Sequence, residues 1–252
     1  MKKIILFFVV ILCIAHLVNA QLKLYVYEED GEVTSFVASE VDSISFTPPS
    51  DYQIESNINE DSTKYVDMGL SVRWGTCNVG AASPEEYGYY FAWGEVETKD
   101  YYNLNNYKWA ASVTGMILKY CTNSFLGNVD NKTLLEPEDD AAHVICEDMW
   151  RMPTEDEFNE LIDNCSITWT SSKGVYGVEF VSKKNGNSIF IPAAGYYYNY
   201  EEKDASYFGY YWTSSLDIDD STRGKQFAFN EDGHIISGST RYFGQPIRPV
   251  LP

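Results

Sequence analysis

Acidic side chains are the residues of this sequence with the clearest capacity for chemistry. Two adjacent carboxylate pairs, Asp139-Asp140 and Asp219-Asp220, are of the type that glycoside hydrolases use as acid and base. The chain holds 37 Asp and Glu against 18 Lys and Arg, so such pairs are expected from composition alone. It contains no Gly-x-Ser-x-Gly, His-Glu-x-x-His, Gly-x-x-x-x-Gly-Lys-Ser/Thr or Gly-x-Gly-x-x-Gly motif. We therefore expect no catalytic residues, no enzyme activity and no cofactor.

A second chemical use of carboxylates is calcium binding. Glu136, Glu138, Asp139 and Asp140 carry the hard oxygen ligands that calcium prefers. The same residues precede an apolar segment, where acidic side chains stabilise the start of a helix. We favour the helix interpretation because no loop with alternating oxygen ligands is present, and we expect no metal site.

Cysteines offer a third chemistry. Four follow the first twenty residues: Cys77, Cys121, Cys146 and Cys165. Their spacing matches no zinc motif. In an exported protein they allow three disulfide connectivities, and the sequence does not choose among them.

Aromatic residues are concentrated in one stretch. Nine of the seventeen residues from Tyr196 to Trp212 are aromatic. Neighbouring side chains of a strand point to opposite faces, so a run such as residues 196–198 exposes some rings unless both faces are covered. Exposed tyrosines beside polar loops suit the recognition of sugars or protein surfaces. We expect Tyr197, Tyr200 and Tyr207 to flank a ligand-binding surface.

The first twenty residues predict export. Lys2 and Lys3 precede an apolar run, and residues 18–20 fit a signal-peptidase site, so the exported chain is expected to begin at Gln21. No later segment is apolar enough to cross a membrane. The formal net charge of −19 repels phosphate backbones, so nucleic acid is not an expected partner. The predicted location is extracellular or at the cell surface, and the oligomeric state is open.

Short strands and turns dominate the predicted elements. We predict a signal peptide over residues 1–20, a small β appendage over 21–50 with a turn at Asp30-Gly31, a linker over 51–63 and a main domain over 64–252. Helices are predicted at Ser83–Glu86, at Ala141–Cys146 and after the Thr154/Glu157 capping box. The predicted fold class is α+β, with short helices among many short antiparallel strands.

The last forty residues alternate apolar anchors with polar positions. The predicted anchors are Trp212, Phe227, Phe229, Ile235, Ile247 and Val250. The polar residues between them have no evident structural purpose, which is typical of a scaffold that presents a variable binding surface.

Several blocks in order resemble one family of secreted proteins. The blocks are Val66-Asp-Met-Gly-Leu-Ser-Val-Arg-Trp74, Cys77-Asn-Val-Gly80, Ser83-Pro-Glu-Glu-Tyr-Gly88, Phe91-Ala-Trp-Gly-Glu95, Leu135-Glu-Pro-Glu-Asp-Asp-Ala-Ala142, Trp150-Arg-Met-Pro-Thr154, Asn187-Ser-Ile-Phe-Ile-Pro-Ala-Ala-Gly195, Tyr211-Trp-Thr-Ser-Ser215 and Ile247-Arg-Pro-Val250. They resemble the Fibrobacter succinogenes major paralogous domain of secreted Bacteroidetes proteins. That resemblance implies a C-type-lectin-like domain over residues 65–250, preceded by a small N-terminal β segment.

The resemblance also implies a ligand surface. In related variable proteins the positions between the last two blocks contact the ligand. Carried over, these positions are Asp217, Ile218, Asp219, Asp220, Thr222, Lys225, Gln226, Arg241 and Tyr242. Formylglycine-generating enzymes share the lectin-like fold but use late cysteines, and no cysteine follows Cys165 here.

One block departs from the family pattern. Residues 146–148 are Cys-Glu-Asp where the family tends to have Trp-Gly-Gly, and we expect Cys146 to stay free or to pair atypically. The leading hypothesis is a non-enzymatic binding domain for a glycan or protein. The alternative is a structural subunit of a surface appendage that is attached through its N-terminal β segment.

Overall fold

The computed structural model describes residues 23–27, 33–37, 65–146 and 149–252. The chain divides into two compact units, Met1–Ile58 and Asn59–Pro252. In the first unit, β1 (Lys23–Tyr27) pairs antiparallel with β2 (Val33–Val37), and Tyr27 lies opposite Val33. This confirms the two predicted strands of the appendage. The predicted signal peptide, the turn at Asp30-Gly31, a third strand over 41–46 and the linker lie outside the described residues.

The second unit is α+β, with two helices and short antiparallel strands in small sheets. Its two ends meet in a three-stranded sheet, in which the C-terminal strand pairs with β4 and β4 pairs with β3. The strands are β3 (Tyr65–Val66), β4 (Arg73–Gly75) and β13 (Val250–Leu251).

Arg248 connects this sheet by hydrogen bonds to the segments that pack against it. Its buried guanidinium donates to Asn78 Oδ1 and to the carbonyl oxygens of Gly75 and Phe190, each at 3.0 Å, and to that of Thr76. The Arg-Pro-Val block at the C-terminus is therefore structural.

Two helices follow the long irregular region over residues 97–132. They are α1 (Ala141–Cys146) and α2 (Glu155–Asn164). Thr154 Oγ1 accepts from Glu157 N at 3.2 Å and Glu157 Oε2 accepts from Thr154 N at 2.8 Å, which confirms the predicted capping box. Phe158 and Leu161 of α2 are buried, as their spacing on one helix face requires.

Two three-stranded antiparallel sheets and one short hairpin complete the unit. The first sheet contains β5 (Cys165–Ser172), β6 (Val175–Ser182) and β7 (Ser188–Pro192), and the hairpin contains β8 (Tyr196–Tyr198) and β9 (Glu201–Lys203). The last sheet contains β10 (Gly209–Leu216), β11 (Arg223–Asn230) and β12 (Gly233–Thr240), in that order.

Aromatic packing joins these elements into a core. Phe227 of β11 stacks on Phe158 of α2 at 5.0 Å between ring centroids, and Trp74 meets Phe158 edge-on at 4.9 Å. A second cluster contains Trp93, Trp212 and Ile247. Each such side chain contributes about 1.5–3 kcal/mol when fully buried, so these clusters hold the outer strands in place.

The predicted anchors are confirmed except for one. Trp212, Phe227, Phe229, Ile247 and Val250 are buried, whereas Ile235 is 60% exposed. Ile236 is the residue of β12 that packs against the core. Because adjacent residues of a strand face opposite sides, Ile235 then points outward.

The predicted helix at Ser83–Glu86 is wrong. Glu86 N donates to Ser83 O at 3.2 Å in a single turn, and the Glu86 carboxylate accepts from Ala82 N instead of extending a helix. Gly88 then has φ of +75°, and a Cβ there would lie 2.5 Å from Val79 O. So short a segment cannot offset the cost of helix nucleation.

The predicted strand at residues 89–94 is also wrong in detail. Phe91 and Trp93 are buried as expected, but within the described residues the strand pairing of this segment is limited to an isolated bridge between Phe91 and Gln245. Trp93 N donates to Arg241 O, and Gly94 then turns the chain at φ of +77°. No helix in the described part of the chain is long and apolar enough to cross a membrane.

Candidate ligand-binding surface

Six aromatic rings form a continuous series, which we call the aromatic tract. In spatial order its members are Phe208, Tyr210, Tyr196, Phe243, Tyr198 and Tyr242. Successive ring centroids are 5.9, 5.4, 5.1, 5.3 and 6.5 Å apart. Such spacing is within the range of favourable aromatic pairs, so the rings stabilise one another.

Strand periodicity explains which rings join the tract. Tyr196 and Tyr198 are two residues apart in β8 and share one face, where both contact Phe243. Tyr197 points to the other face and packs edge-on against Tyr90 at 4.7 Å. Tyr197 is half-buried, so it does not lie on the exposed surface on which it was predicted.

A cavity of 210 Å³ opens within the tract. It is lined by Tyr196, Asp204, Tyr210, Gln226, Ser239, Phe243 and Gln245. Three aromatic walls with a few amide, hydroxyl and carboxylate groups are the usual composition of a small-ligand site.

Gln245 contributes an unusual polar group to this cavity. Its Nε2 donates to Gln226 Oε1 at 2.7 Å and to Ser239 Oγ at 3.0 Å, while its Oε1 is buried without a hydrogen-bond partner in the described structure. Backbone hydrogen bonds with Phe91 in both directions, each at 3.0 Å, hold the residue in place. A buried acceptor left unpaired costs about 1–3 kcal/mol, so a donor brought by a ligand would recover that free energy.

Asp204 supplies a carboxylate to the lining of this cavity. Tyr210 Oη donates to Asp204 Oδ2 at 3.3 Å. Burial, followed by the negative charge of Asp204, raises the pKa of Tyr210 to about 12. Tyr210 therefore stays a neutral hydrogen-bond donor at physiological pH.

Two further clefts adjoin the tract. One of 490 Å³ is lined by Tyr101, Tyr198, Asn199, Tyr200, Glu201 and Lys203, and it shares Tyr198 with the tract. The other, of 370 Å³, includes Phe208, Tyr210, His234 and Ile235. Recesses and rings thus follow one another along a single extended surface.

Tyr200 and Tyr207 are the most exposed of the predicted tyrosines. They are 72% and 73% exposed, and Tyr200 lies 4.5 Å from Tyr101 between ring centroids. The prediction of exposed rings is confirmed for these two residues. Tyr207 lines none of the three recesses described above.

The loop after β10 is held by its own side chains. Thr222 N and Oγ1 both donate to Asp220 Oδ1, at 2.9 and 2.6 Å, and Asp219 N donates to Asp217 Oδ1 at 3.2 Å. Asp217 is buried, whereas Ile218 is 64% exposed and Asp219 is exposed. Of the predicted positions in this loop, Ile218 and Asp219 project most clearly into solvent.

Lys225 and Gln226 occupy different settings on β11. Lys225 Nζ lies 3.7 Å from Asp217 and 3.8 Å from Glu155, so its charge is balanced by the protein itself. Gln226 lines the cavity beside Gln245. The structure therefore brings Gln226 and Tyr242 to the tract and leaves Lys225 in an ion-pair network.

Arg241 is not on a ligand-facing surface, so its predicted placement there is wrong. The residue is 1% exposed, and its guanidinium carbon lies 4.7 Å from the Trp93 ring centroid. Nε donates to the Tyr107 hydroxyl at 2.7 Å, and the other nitrogens donate to the carbonyl oxygens of Lys119, Tyr120 and Ser221. These contacts occupy the whole guanidinium group within the protein, so Arg241 has a structural role.

The acidic cluster before α1 is engaged by the protein. Asp139 accepts from Lys119, Lys108 and the Tyr120 hydroxyl at 2.6, 3.0 and 2.7 Å. Asp140 accepts from the backbone N–H groups of His143 and Met152, which places it at the start of α1. Within the described residues, no group of three or more His, Cys, Asp or Glu side chains is arranged to hold a metal ion.

The four described cysteines are free thiols in this structure. Burial, followed by the charge of Asp140, raises the pKa of Cys146 to about 11. Cys146 is therefore a poor nucleophile at neutral pH.

Sequence reasoning missed most of the cavity. The lining residues that the sequence analysis does not predict are Tyr196, Asp204, Tyr210, Ser239, Phe243 and Gln245. The available signal was a glutamine in the otherwise apolar segment that leads to Ile247, because a polar side chain there is buried and needs partners. Comparisons with protein-family models, with curated proteins and with solved structures found no match.

Proposed function

We propose that this chain is a secreted or cell-surface, non-enzymatic binding protein that recognises an extracellular glycan or protein ligand. The observation that carries the proposal is the aromatic tract around a cavity that Gln245 lines, a residue whose buried Oε1 has no hydrogen-bond partner in the described structure. Rings that are fixed by their neighbours lose little conformational entropy when a ligand binds, so they suit recognition.

The resemblance to the Fibrobacter succinogenes major paralogous domain supports the same proposal. It implies a C-type-lectin-like fold, and the mixture of two helices with short antiparallel strands is compatible with that fold. The ligand surface proposed here extends over β8, β10, β11, β12 and the segment after β12. It overlaps the positions implied by the resemblance at Gln226 and Tyr242 and differs from them at Arg241.

Export is part of this proposal, because the ligand is extracellular. Its support is the pattern of the first twenty residues. N-terminal sequencing of the protein recovered from the producing cells tests it. A chain that begins at Gln21 is expected, and a chain that keeps residues 1–20 in the cytoplasm contradicts export.

The test of binding uses the full exported chain on a glycan array and on a panel of extracellular proteins. We expect a ligand whose binding falls at least fivefold in Tyr198→Ala, because Tyr198 contributes to both the tract and the neighbouring cleft. Tyr176→Ala is the matched control, since Tyr176 is exposed on the separate β5–β7 sheet. Equal binding by wild type and Tyr198→Ala would exclude the tract as the site.

A further inference from the structure

We propose that the cavity between Tyr196, Tyr210 and Phe243 is an anchoring subsite for one neutral pyranose unit of a glycan. This inference rests on the proposed binding function and narrows its ligand. Four features of the cavity support it: an acceptor that lacks a donor, a mixed set of polar groups, aromatic walls and the sign of the charge.

The orientation of the Gln245 amide defines the first requirement. Both Nε2 hydrogens are used, since Gln226 Oε1 and Ser239 Oγ accept at 2.7 and 3.0 Å. Oε1 is therefore the atom that has no donor among the described residues, and because it is fully buried a ligand donor reaches it only when the side chains around it shift. A sugar hydroxyl carries such a donor on a small group that can enter a 210 Å³ cavity.

The other polar groups favour a ligand that both donates and accepts. Ser239 Oγ accepts from Gln245 and keeps its own hydrogen for donation. Gln226 Nε2 donates to Ser237 Oγ at 3.3 Å and carries a second hydrogen. Adjacent hydroxyls of a sugar match this alternation of donors and acceptors, whereas an ammonium group could only donate.

The rings provide the apolar part of the site. Tyr196 and Tyr210 meet at an interplanar angle of 87°, and Phe243 lies 5.1 Å from Tyr196. Two nearly perpendicular walls allow the apolar C–H face of a pyranose to rest on one ring while its edge meets the other. Such a ligand buries apolar surface and keeps its hydroxyls directed to Gln245 and Ser239.

Charge restricts the sugar to a neutral one. Among the described residues that line the cavity, Asp204 is the one carboxylate, and none of them is Lys or Arg. A uronic acid or a sulfated sugar would bring a second negative charge into a chain with a formal net charge of −19. An ammonium ligand is less favoured because Asp204 is exposed and already accepts from Tyr210 Oη.

The test is isothermal titration calorimetry of the full exported chain with matched ligands. The probes are glucose, galactose, mannose and N-acetylglucosamine, with glucuronic acid as the acidic probe and glucosamine as the ammonium probe. We expect at least one neutral sugar to bind, and glucuronic acid to bind at least tenfold more weakly than glucose. Asp204→Asn should reduce the difference in affinity between glucose and glucuronic acid, because it removes the negative charge that repels the acidic sugar.

Variants assign the binding to the cavity. Gln245→Met removes the unpaired acceptor. It should lower the affinity for the neutral sugar roughly five- to tenfold, which is the effect of losing one buried hydrogen bond. Tyr196→Ala, which removes one aromatic wall, and Asp204→Asn lie at less buried positions and can be used if Gln245→Met fails to fold. Tyr176→Ala is the matched control for Tyr196→Ala and should leave the affinity unchanged.

The possible outcomes separate this inference from the broader proposal. If the array reveals a ligand but no neutral sugar competes for it, or only glucosamine or glucuronic acid binds, the neutral-sugar subsite is overturned while the binding function stands. If neutral sugars bind and Gln245→Met, Asp204→Asn and Tyr196→Ala all behave as wild type, the location is overturned. If neither glycan nor protein binds the full chain, the proposed function itself fails.

Discussion

Replacing Arg241 by methionine should destabilise the domain without acting through a ligand. The guanidinium makes four hydrogen bonds, to the Tyr107 hydroxyl and to three backbone carbonyls, and it stacks 4.7 Å from the Trp93 centroid. Its connections extend over more than one hundred residues of sequence, since Lys119, Tyr120 and Tyr107 all precede it by that distance. Loss of Arg241 therefore loosens the long loop region from the C-terminal segment.

The size of the effect follows from these contacts. Each hydrogen bond contributes about 1 kcal/mol net, and contact of the cation with a desolvated ring adds about 1–2 kcal/mol. Methionine avoids the cost of burying a cation, which offsets part of that loss. We expect the free energy of unfolding to fall by about 3 kcal/mol, equivalent to a decrease in Tm of roughly 6–12 °C.

Urea denaturation followed by tryptophan fluorescence measures this change. Arg223→Met is the control, because Arg223 is half-exposed on β11 and its loss should alter the free energy of unfolding by less than about 1 kcal/mol. If Arg241→Met were as stable as wild type but failed to bind a ligand found for the wild type, the buried role of Arg241 would be refuted.

Two other substitutions probe the scaffold. Arg248→Met should also lower the free energy of unfolding by about 3 kcal/mol, measured by urea denaturation, because Asn78 Oδ1 and several carbonyls lose their donor; wild-type stability would contradict this. Burial alone would raise the pKa of Asp139, but hydrogen bonds from Lys119, Tyr120 and Lys108 outweigh burial and lower it below 3.8. A depressed folded-state pKa stabilises the fold above the unfolded-state pKa, and this stabilisation is lost as pH falls below about 3.8. Asp139→Asn should therefore flatten the acid limb of a Tm-versus-pH curve, whereas Glu138→Gln, at an exposed position, should leave it unchanged; an equal effect of both would contradict the assignment.

Sequence signals predict an element correctly where the interactions that stabilise it join residues close together in the chain. The capping box of Thr154 and Glu157 depends on residues three positions apart, and it forms as expected. The Ser83 segment carries similar signals, yet Gly88 in the left-handed region ends it before a helix can form. Start signals therefore predict a helix only where the chain beyond them can continue it.

The candidate site could be predicted only in part because its geometry is non-local. The aromatic run predicts an exposed Tyr200, but the cavity depends on β8, β10, β11, β12 and the segment after β12 meeting in space. Strand alternation decided two errors: Ile236 rather than Ile235 packs on the core, and Tyr197 turns away from the tract. A sequence shows the alternation of side chains along a strand, but it does not show which face of the strand packs against the rest of the protein.

The most direct test of the central claim is a crystal structure of the full exported chain with its best-binding neutral oligosaccharide. We predict one pyranose ring against Tyr196, Tyr210 and Phe243, with a hydroxyl oxygen within hydrogen-bond distance of Gln245 Oε1. A saccharide bound away from the aromatic tract, with the Gln245 cavity empty, would contradict it.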